Sequence, residues 1–152
     1  MLKEGDLFPE FSLSDQDGKV VANGDLKGLK SVIYFYPKDD TPGCTVEACE
    51  FRDAAPSYPG AKVYGVSPDN AKSHTKFIKK FDLNFPLLAD TEHKLAEACG
   101  IWVEKSMYGR TYMGVERTTY LLDEDGRVAK VWRKVTPKGH AEEVRTALGA
   151  GK

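Results

Sequence analysis

A cysteine at position 44, a threonine three residues before it and a second cysteine five residues after it form the one cluster in this sequence whose residue types and spacing could do chemistry. If Thr41 is a helix N-cap and Pro42 the first helical residue, where a missing N–H does no harm, Gly43 and Cys44 are the second and third. A cysteine there faces unpaired backbone N–H groups and the positive end of the helix dipole, which favour an anion. The thiolate is the nucleophilic form, and such placement can lower a cysteine pKa from about 8.5 to roughly 3.5–7.5. Gly43, lacking a Cβ, would let a small substrate approach the same N–H groups. The alternative is a small buried hydrophobe in a helix. The polar approach Asp39-Asp-Thr-Pro-Gly argues against apolar burial, so a reactive thiol is expected.

Cys49 lies further along the same helix. Five residues rise about 7.5 Å and rotate about 140°, which sets the two Cα atoms roughly 8.7 Å apart. Disulfides need less than about 7 Å. A redox role for the pair therefore requires the helix to unwind locally. The spacing is neither a usual zinc pattern nor the C-x-x-C of a thioredoxin-like oxidoreductase.

The elements that must position these residues follow from the flanking sequence. Ser31–Tyr36 is β-branched and aromatic, as suits a central strand, and Pro37 ends it. Before it, Phe11–Ser14 and Val20–Ala22 flank Asp15-Gln-Asp-Gly, which reads as a hairpin. After the cysteine helix, Pro56 and Pro59-Gly60 break the chain and Lys62–Ser67 reads as a strand. Asn70 can cap a helix over Ala71–Phe81, with Phe77, Ile78 and Phe81 facing the core and His74 packed among them. Phe85–Ala89 is a short strand, and Asp90 a plausible N-cap for a helix over Thr91–Cys99 closed by Gly100. His93 is expected in solvent and Cys99 in the core. Glu104–Gly114 reads as a loop. Val115–Leu122 and Arg127–Lys134 form a hairpin about Asp123–Gly126, and His140–Leu148 a terminal helix. Strands alternating with helices between two hairpins give an α/β fold, a mixed central sheet covered by helices.

The pattern Pro37-x-x-x-Thr41-x-x-Cys44 resembles the active-site signature of peroxiredoxins. Tyr34-Phe-Tyr-Pro-Lys followed by Thr41-Pro-Gly-Cys-Thr-x-Glu-Ala-Cys49 is similar to their bacterioferritin-comigratory-protein, or Q-type, subfamily. The match continues through Gly65-Val-Ser-Pro-Asp, Phe85-Pro-Leu-Leu-Ala-Asp and Glu116-Arg-Thr-Thr-Tyr-Leu-Leu-Asp, from about Gly5 to Leu148. The resemblance implies a thioredoxin-like fold and a thiol-dependent peroxidase acting on hydrogen peroxide and organic hydroperoxides. It implies Cys44 as attacking thiolate, Thr41 orienting the peroxide and Pro37 shielding the sulfur. Gly43 and Arg117 would bind the substrate oxygens. Cys49 would resolve the sulfenic acid as a disulfide, and a thioredoxin-type dithiol reductant would restore both thiols. No cofactor or metal is implied. Read without the resemblance, Arg117 is an edge-strand arginine in water.

Composition bounds the rest. The sequence has 152 residues, 22 lysines and arginines against 23 aspartates and glutamates, and three cysteines. One domain over residues 1–152 is expected, with a core that needs no covalent staple. The balanced charge suggests neither nucleic acid nor an anionic membrane as partner. Met1-Leu-Lys-Glu-Gly-Asp lacks the apolar run of a secretion signal, and no stretch is long enough to span a bilayer. An odd cysteine count favours a reducing compartment, so a soluble, cytoplasmic protein is expected. No exposed apolar face forces assembly, which points to a monomer and leaves a dimer open. Two other classes stand beside the peroxidase. One is a metal-binding module using Cys44, Cys49, Cys99 and one of His74, His93 or His140, which lack zinc spacing. The other is a non-enzymatic thioredoxin-fold chaperone or interaction protein.

Overall fold

The hydrophobic run before Cys44 is the middle strand of a five-stranded mixed sheet. The computed structural model describes residues 2–149. It opens with a hairpin of β1 (Ser12–Ser14) and β2 (Val20–Ala22), whose corner is tied by Asp15 Oδ1 accepting the N–H groups of Asp17 and Lys19. A 3-10 turn over Asn23–Leu26 leads into β3 (Lys30–Phe35). Then come α1 (Pro42–Ala54), β4 (Ala61–Ser67), α2 (Ala71–Phe81), β5 (Leu87–Ala89) and α3 (Lys94–Ala98). A second hairpin, β6 (Trp102–Met107) and β7 (Arg110–Val115), precedes β8 (Thr118–Leu122), β9 (Val128–Arg133) and α4 (His140–Ala147). The sheet order is β5-β4-β3-β8-β9, with β3, β4 and β5 parallel and β8 and β9 antiparallel to their neighbours.

Because successive strand residues point to opposite faces, β3 serves two cores. Val32 and Tyr34, continued by Tyr36, pack with Cys44, Ala48 and Phe51 of α1, Phe77 of α2 and Val144 of α4. Ile33 and Phe35 pack on the other face with Phe8, Phe11, Leu95 and Cys99. The expected α/β architecture with its N-terminal hairpin is therefore what the chain forms.

Three local expectations are corrected. Glu104–Gly114 is not a loop but most of the β6–β7 hairpin, in register from Trp102↔Val115 to Met107↔Arg110. Its corner is Tyr108 (φ 52°) and Gly109 (φ 78°), both left-handed, as the tight primed turns require. Met107, Tyr112 and Met113 are about half exposed, so the in/out alternation that reveals a strand is missing. The helix expected over Thr91–Cys99 is shorter, because His93 (φ 49°) is left-handed and only Lys94–Ala98 is helical. Asp90 still serves its start, accepting from Leu95 N at 3.2 Å and Ala96 N at 3.0 Å. His93 is not simply in solvent: its ring stacks on Trp102 with centroids 3.9 Å apart and bonds Glu97.

His74 is the packed histidine expected of α2, fully buried between Asp39 Oδ2 at 2.7 Å and the Leu88 carbonyl at 3.0 Å. Through Asp39 it anchors the loop before α1, since Asp39 also accepts from the Tyr36 and Ser73 hydroxyls.

Candidate active site

α1 begins as its sequence requires, with Thr41 extended at the N-cap, Pro42 first and Cys44 third. The Thr41 hydroxyl does not cap the helix, however. It donates to the Lys38 carbonyl at 3.1 Å, so the loop Lys38–Thr41 closes on itself and the first-turn N–H groups are left without a side-chain acceptor.

Cys44 is only 1% exposed, which corrects the expectation that its polar approach would keep it from the core. Burial does not make it apolar in function, because Arg117 reaches it. Nη2 of Arg117 donates to Cys44 Sγ at 3.2 Å, and Nη1 donates to Glu47 Oε1 at 2.6 Å. Guanidinium is a donor at every nitrogen, so the sulfur it meets is held as an acceptor. Arg117 lies between β7 and β8 rather than on an edge strand, fixed by Val135 N donating to its carbonyl at 3.0 Å. Burial opposes its charge, but Glu47 and Cys44 outweigh that and hold its pKa above the ordinary value. A Cβ on Gly43 would lie 3.5 Å from both Arg117 Nη2 and Pro137 Cγ, so the absence of a side chain there leaves space beside the sulfur and the guanidinium.

Glu47 is the functional residue that sequence reasoning missed. It is 1% exposed, and burial lifts its carboxyl to about 7 against the opposing pull of Arg117. Its Oε2 and the hydroxyl of nearby Tyr34 are buried without hydrogen-bond partners. The signal was available: positions 44, 47, 48 and 51 form the buried stripe of α1, and a carboxylate on that stripe, one turn after the cysteine, needs a cation.

Cys49 is half-buried on the same continuous helix, and all three cysteines are free thiols. The structure thus brings Cys44, Gly43 and Arg117 together and leaves Cys49 apart. Pro37 and Thr41 line a neighbouring cavity. Cys99 is fully buried, with its thiol pushed up to about 12 by burial, which outweighs a hydrogen bond from Tyr120. Among the described residues, one group of side chains is close enough to ligate a metal, Asp39, Asp69 and His74, and it contains none of the cysteines. No described helix is long and apolar enough to cross a membrane.

The family model AhpC/TSA matches residues 5–131. Peroxiredoxin Bcp of Bacillus subtilis is 49% identical over 146 residues, covering 95% of this chain and 93% of that protein. Peroxiredoxin Bcp of Escherichia coli is 43% identical, covering 94% and 93%. Among solved structures, the bacterioferritin comigratory protein of Xanthomonas campestris, studied for alkyl peroxide reduction, superposes with a TM-score of 0.89 at 41% identity, covering 99% of this chain and 97% of that one. Mycobacterium bovis AhpC, at 23% identity and a TM-score of 0.82, shares the fold.

Proposed function

Because the chain belongs to the AhpC/TSA family, as a thiol peroxidase of the bacterioferritin-comigratory (Q-type) peroxiredoxins, we propose that Cys44 is its peroxidatic residue, Arg117 its activating cation and Cys49 its resolving thiol. The observation that carries this reading is the Arg117 guanidinium 3.2 Å from a cysteine sulfur in the first turn of α1.

The Cys44 thiolate attacks the distal oxygen of hydrogen peroxide or an organic hydroperoxide. An S–O bond forms and the O–O bond breaks, and the leaving hydroxide or alkoxide takes a proton to depart as water or alcohol. Arg117 and the first-turn N–H groups at Gly43 and Cys44 stabilise the negative charge that passes from sulfur to oxygen. Thr41 orients the peroxide, and Pro37 keeps bulk water from the sulfur. Glu47 holds one arm of the guanidinium so that the other points at the sulfur. A permanent, planar, forked cation can serve two acceptors in this way, whereas an ammonium cannot. Cys49 then attacks the Cys44 sulfenic acid, forming a disulfide and releasing water. A thioredoxin-type dithiol supplies the two electrons that restore both thiols and is itself oxidised to a disulfide. The reaction is contained in one thioredoxin-like domain, needs no organic cofactor or metal, and suits the reducing cytoplasm.

Mixing reduced protein with one equivalent of hydrogen peroxide in a stopped-flow device, followed by intact mass, tests the assignment. Wild type is expected to pass through a one-oxygen adduct to an internal disulfide, and Cys44→Ser to leave peroxide unconsumed, since a hydroxyl is no comparable nucleophile at neutral pH. Near wild-type turnover by Cys44→Ser would remove Cys44 from the mechanism.

A further inference from the structure

Helix α4 starts at His140 without a cap of its own. Its N-cap is Gly139, left-handed at φ 87° and without a side chain, and the acceptor for the Gly139 N–H is the Glu50 carboxylate of α1, at 2.8 Å. In a capping box that acceptor is the carboxylate at the third helical position. Here the third position is Glu142, which is drawn instead to Arg145 at 3.8 Å. One helix therefore caps the other.

Glu50 is the chain neighbour of Cys49, and Cys49 can reach Cys44 only when α1 deforms as far as the second cysteine. Two side-chain bonds to Arg117, from Cys44 and Glu47, tie the start of that segment to the rest of the chain, and Glu50 ties its end. Attack on a peroxide removes the negative charge from the sulfur, and with it the charge-assisted part of the Cys44–Arg117 bond. The Glu50 bond is untouched by that chemistry. Its partner also stays in place, because Phe51 packs edge-on to His140 and the Tyr58 hydroxyl donates to the Ala141 carbonyl at 2.6 Å, which hold the start of α4 from beyond Glu50.

We propose that the Glu50–Gly139 bond is a latch on the resolving step: it holds α1 closed after Cys44 is oxidised, so that Glu50 is a positioning residue that sets how the sulfenic acid divides between disulfide and overoxidation. The proposal rests on the resolving role given to Cys49 above. The sulfenic acid has two fates. Cys49 attacks its sulfur, the S–S bond forming as the S–O bond breaks and water departs, or the sulfur attacks a second peroxide, gaining an oxygen to become sulfinic acid while water or alcohol departs. Only the first fate requires α1 to open. Releasing one carboxylate–amide bond at an exposed site favours that opening about fivefold.

The test separates the two steps in stopped flow with hydrogen peroxide. Glu50→Asp keeps the negative charge beside Cys49 but is one carbon too short to reach the Gly139 N–H. Its second-order rate of Cys44 oxidation is expected to equal that of wild type, while conversion of sulfenic acid to disulfide runs about fivefold faster. The peroxide concentration that overoxidises half of Cys44 should rise by the same factor. Glu142→Gln removes a charge from the first turn of α4 without touching the latch, and should match wild type in both steps. An unchanged or slower resolving step in Glu50→Asp, or an equal gain in Glu142→Gln, overturns the latch. Peptide mapping that finds no Cys44–Cys49 bridge in oxidised wild type would instead overturn the resolving role on which the proposal rests.

Discussion

At position 47 a carboxyl is made unusual by what surrounds it. Burial raises Glu47 from 4.5 to about 7. A carboxyl whose folded pKa lies above its unfolded value binds a proton on folding between the two, so native stability falls as pH rises from about 4.5 to about 7 and stays lower above that. At 1.36 kcal/mol per unit the loss is about 3 kcal/mol. Glu47→Gln keeps an oxygen for Arg117 and removes the titration. In urea unfolding of reduced protein, the variant should gain up to about 3 kcal/mol relative to wild type between about pH 5 and about pH 8; a constant difference would show that Glu47 titrates normally. Arg117→Lys keeps the positive charge but replaces the fork with one donor point, which cannot reach Glu47 and Cys44 in the same geometry. Loss of one charge-assisted bond in the reacting geometry is expected to slow Cys44 oxidation by about ten- to a hundredfold. An unchanged rate constant in stopped flow would take Arg117 out of the chemistry.

Helix α1 carries both cysteines, so the proposed disulfide between them would have to deform it: ideal geometry puts their Cα atoms about 8.7 Å apart, beyond bonding reach of about 7 Å. Gly43 and the β-branched Thr45 and Val46 give its first turns low helix propensity. Its last turns are held differently. Phe51 is fully buried, stacked 4.6 Å from Tyr34 and edge-on to Tyr58, and Glu50 accepts the Gly139 N–H at 2.8 Å at the start of α4. A melt from Thr41 to Ala54 would pull Phe51 from the core, which costs on the order of 2 kcal/mol in lost burial alone. A melt that stops at Glu50 is therefore expected: oxidation abolishes amide-exchange protection of residues 45–54, whose N–H groups bond the carbonyls of 41–50, and spares Ala55, whose N–H bonds the Phe51 carbonyl. Cys49→Ser should show no such loss and should accumulate overoxidised Cys44 under excess peroxide. Equal protection of residues 45–54 in reduced and oxidised protein would mean that the bridge joins other cysteines.

On the scale of the whole molecule, the sheet decides which cysteines can meet. Cys44 packs on the face covered by α1, α2 and α4, and Cys99 on the opposite face with Phe35 and Leu95. Joining them would mean crossing the sheet. With its thiol pushed up to about 12, Cys99 is also almost wholly protonated at neutral pH. Peptide mapping after one equivalent of peroxide should find Cys44 linked to Cys49 and Cys99 still a thiol; a dominant Cys44–Cys99 link would transfer the resolving role.

The sequence alone determined the parts of this protein that depend on neighbours along the chain. The run Ser31–Tyr36, the order Thr41-Pro-Gly-Cys and the Asn70 cap each encode their element through local propensity, and the long motif identified the family. Tertiary structure decided what depends on distant partners. Arg117, 73 residues from Cys44, meets its sulfur only because β8 pairs with β3 and carries the preceding residue to the start of α1. Glu47 acquired its role from that same approach. The β6–β7 hairpin was hidden because its half-exposed strands carry no alternating pattern, and its register comes from the left-handed corner at Tyr108-Gly109. Burial of Cys44 beside a cation, rather than exposure, followed from the packing of α1 on the sheet. That depends on the shape of a surface assembled from the whole chain, which spacing along the sequence does not record.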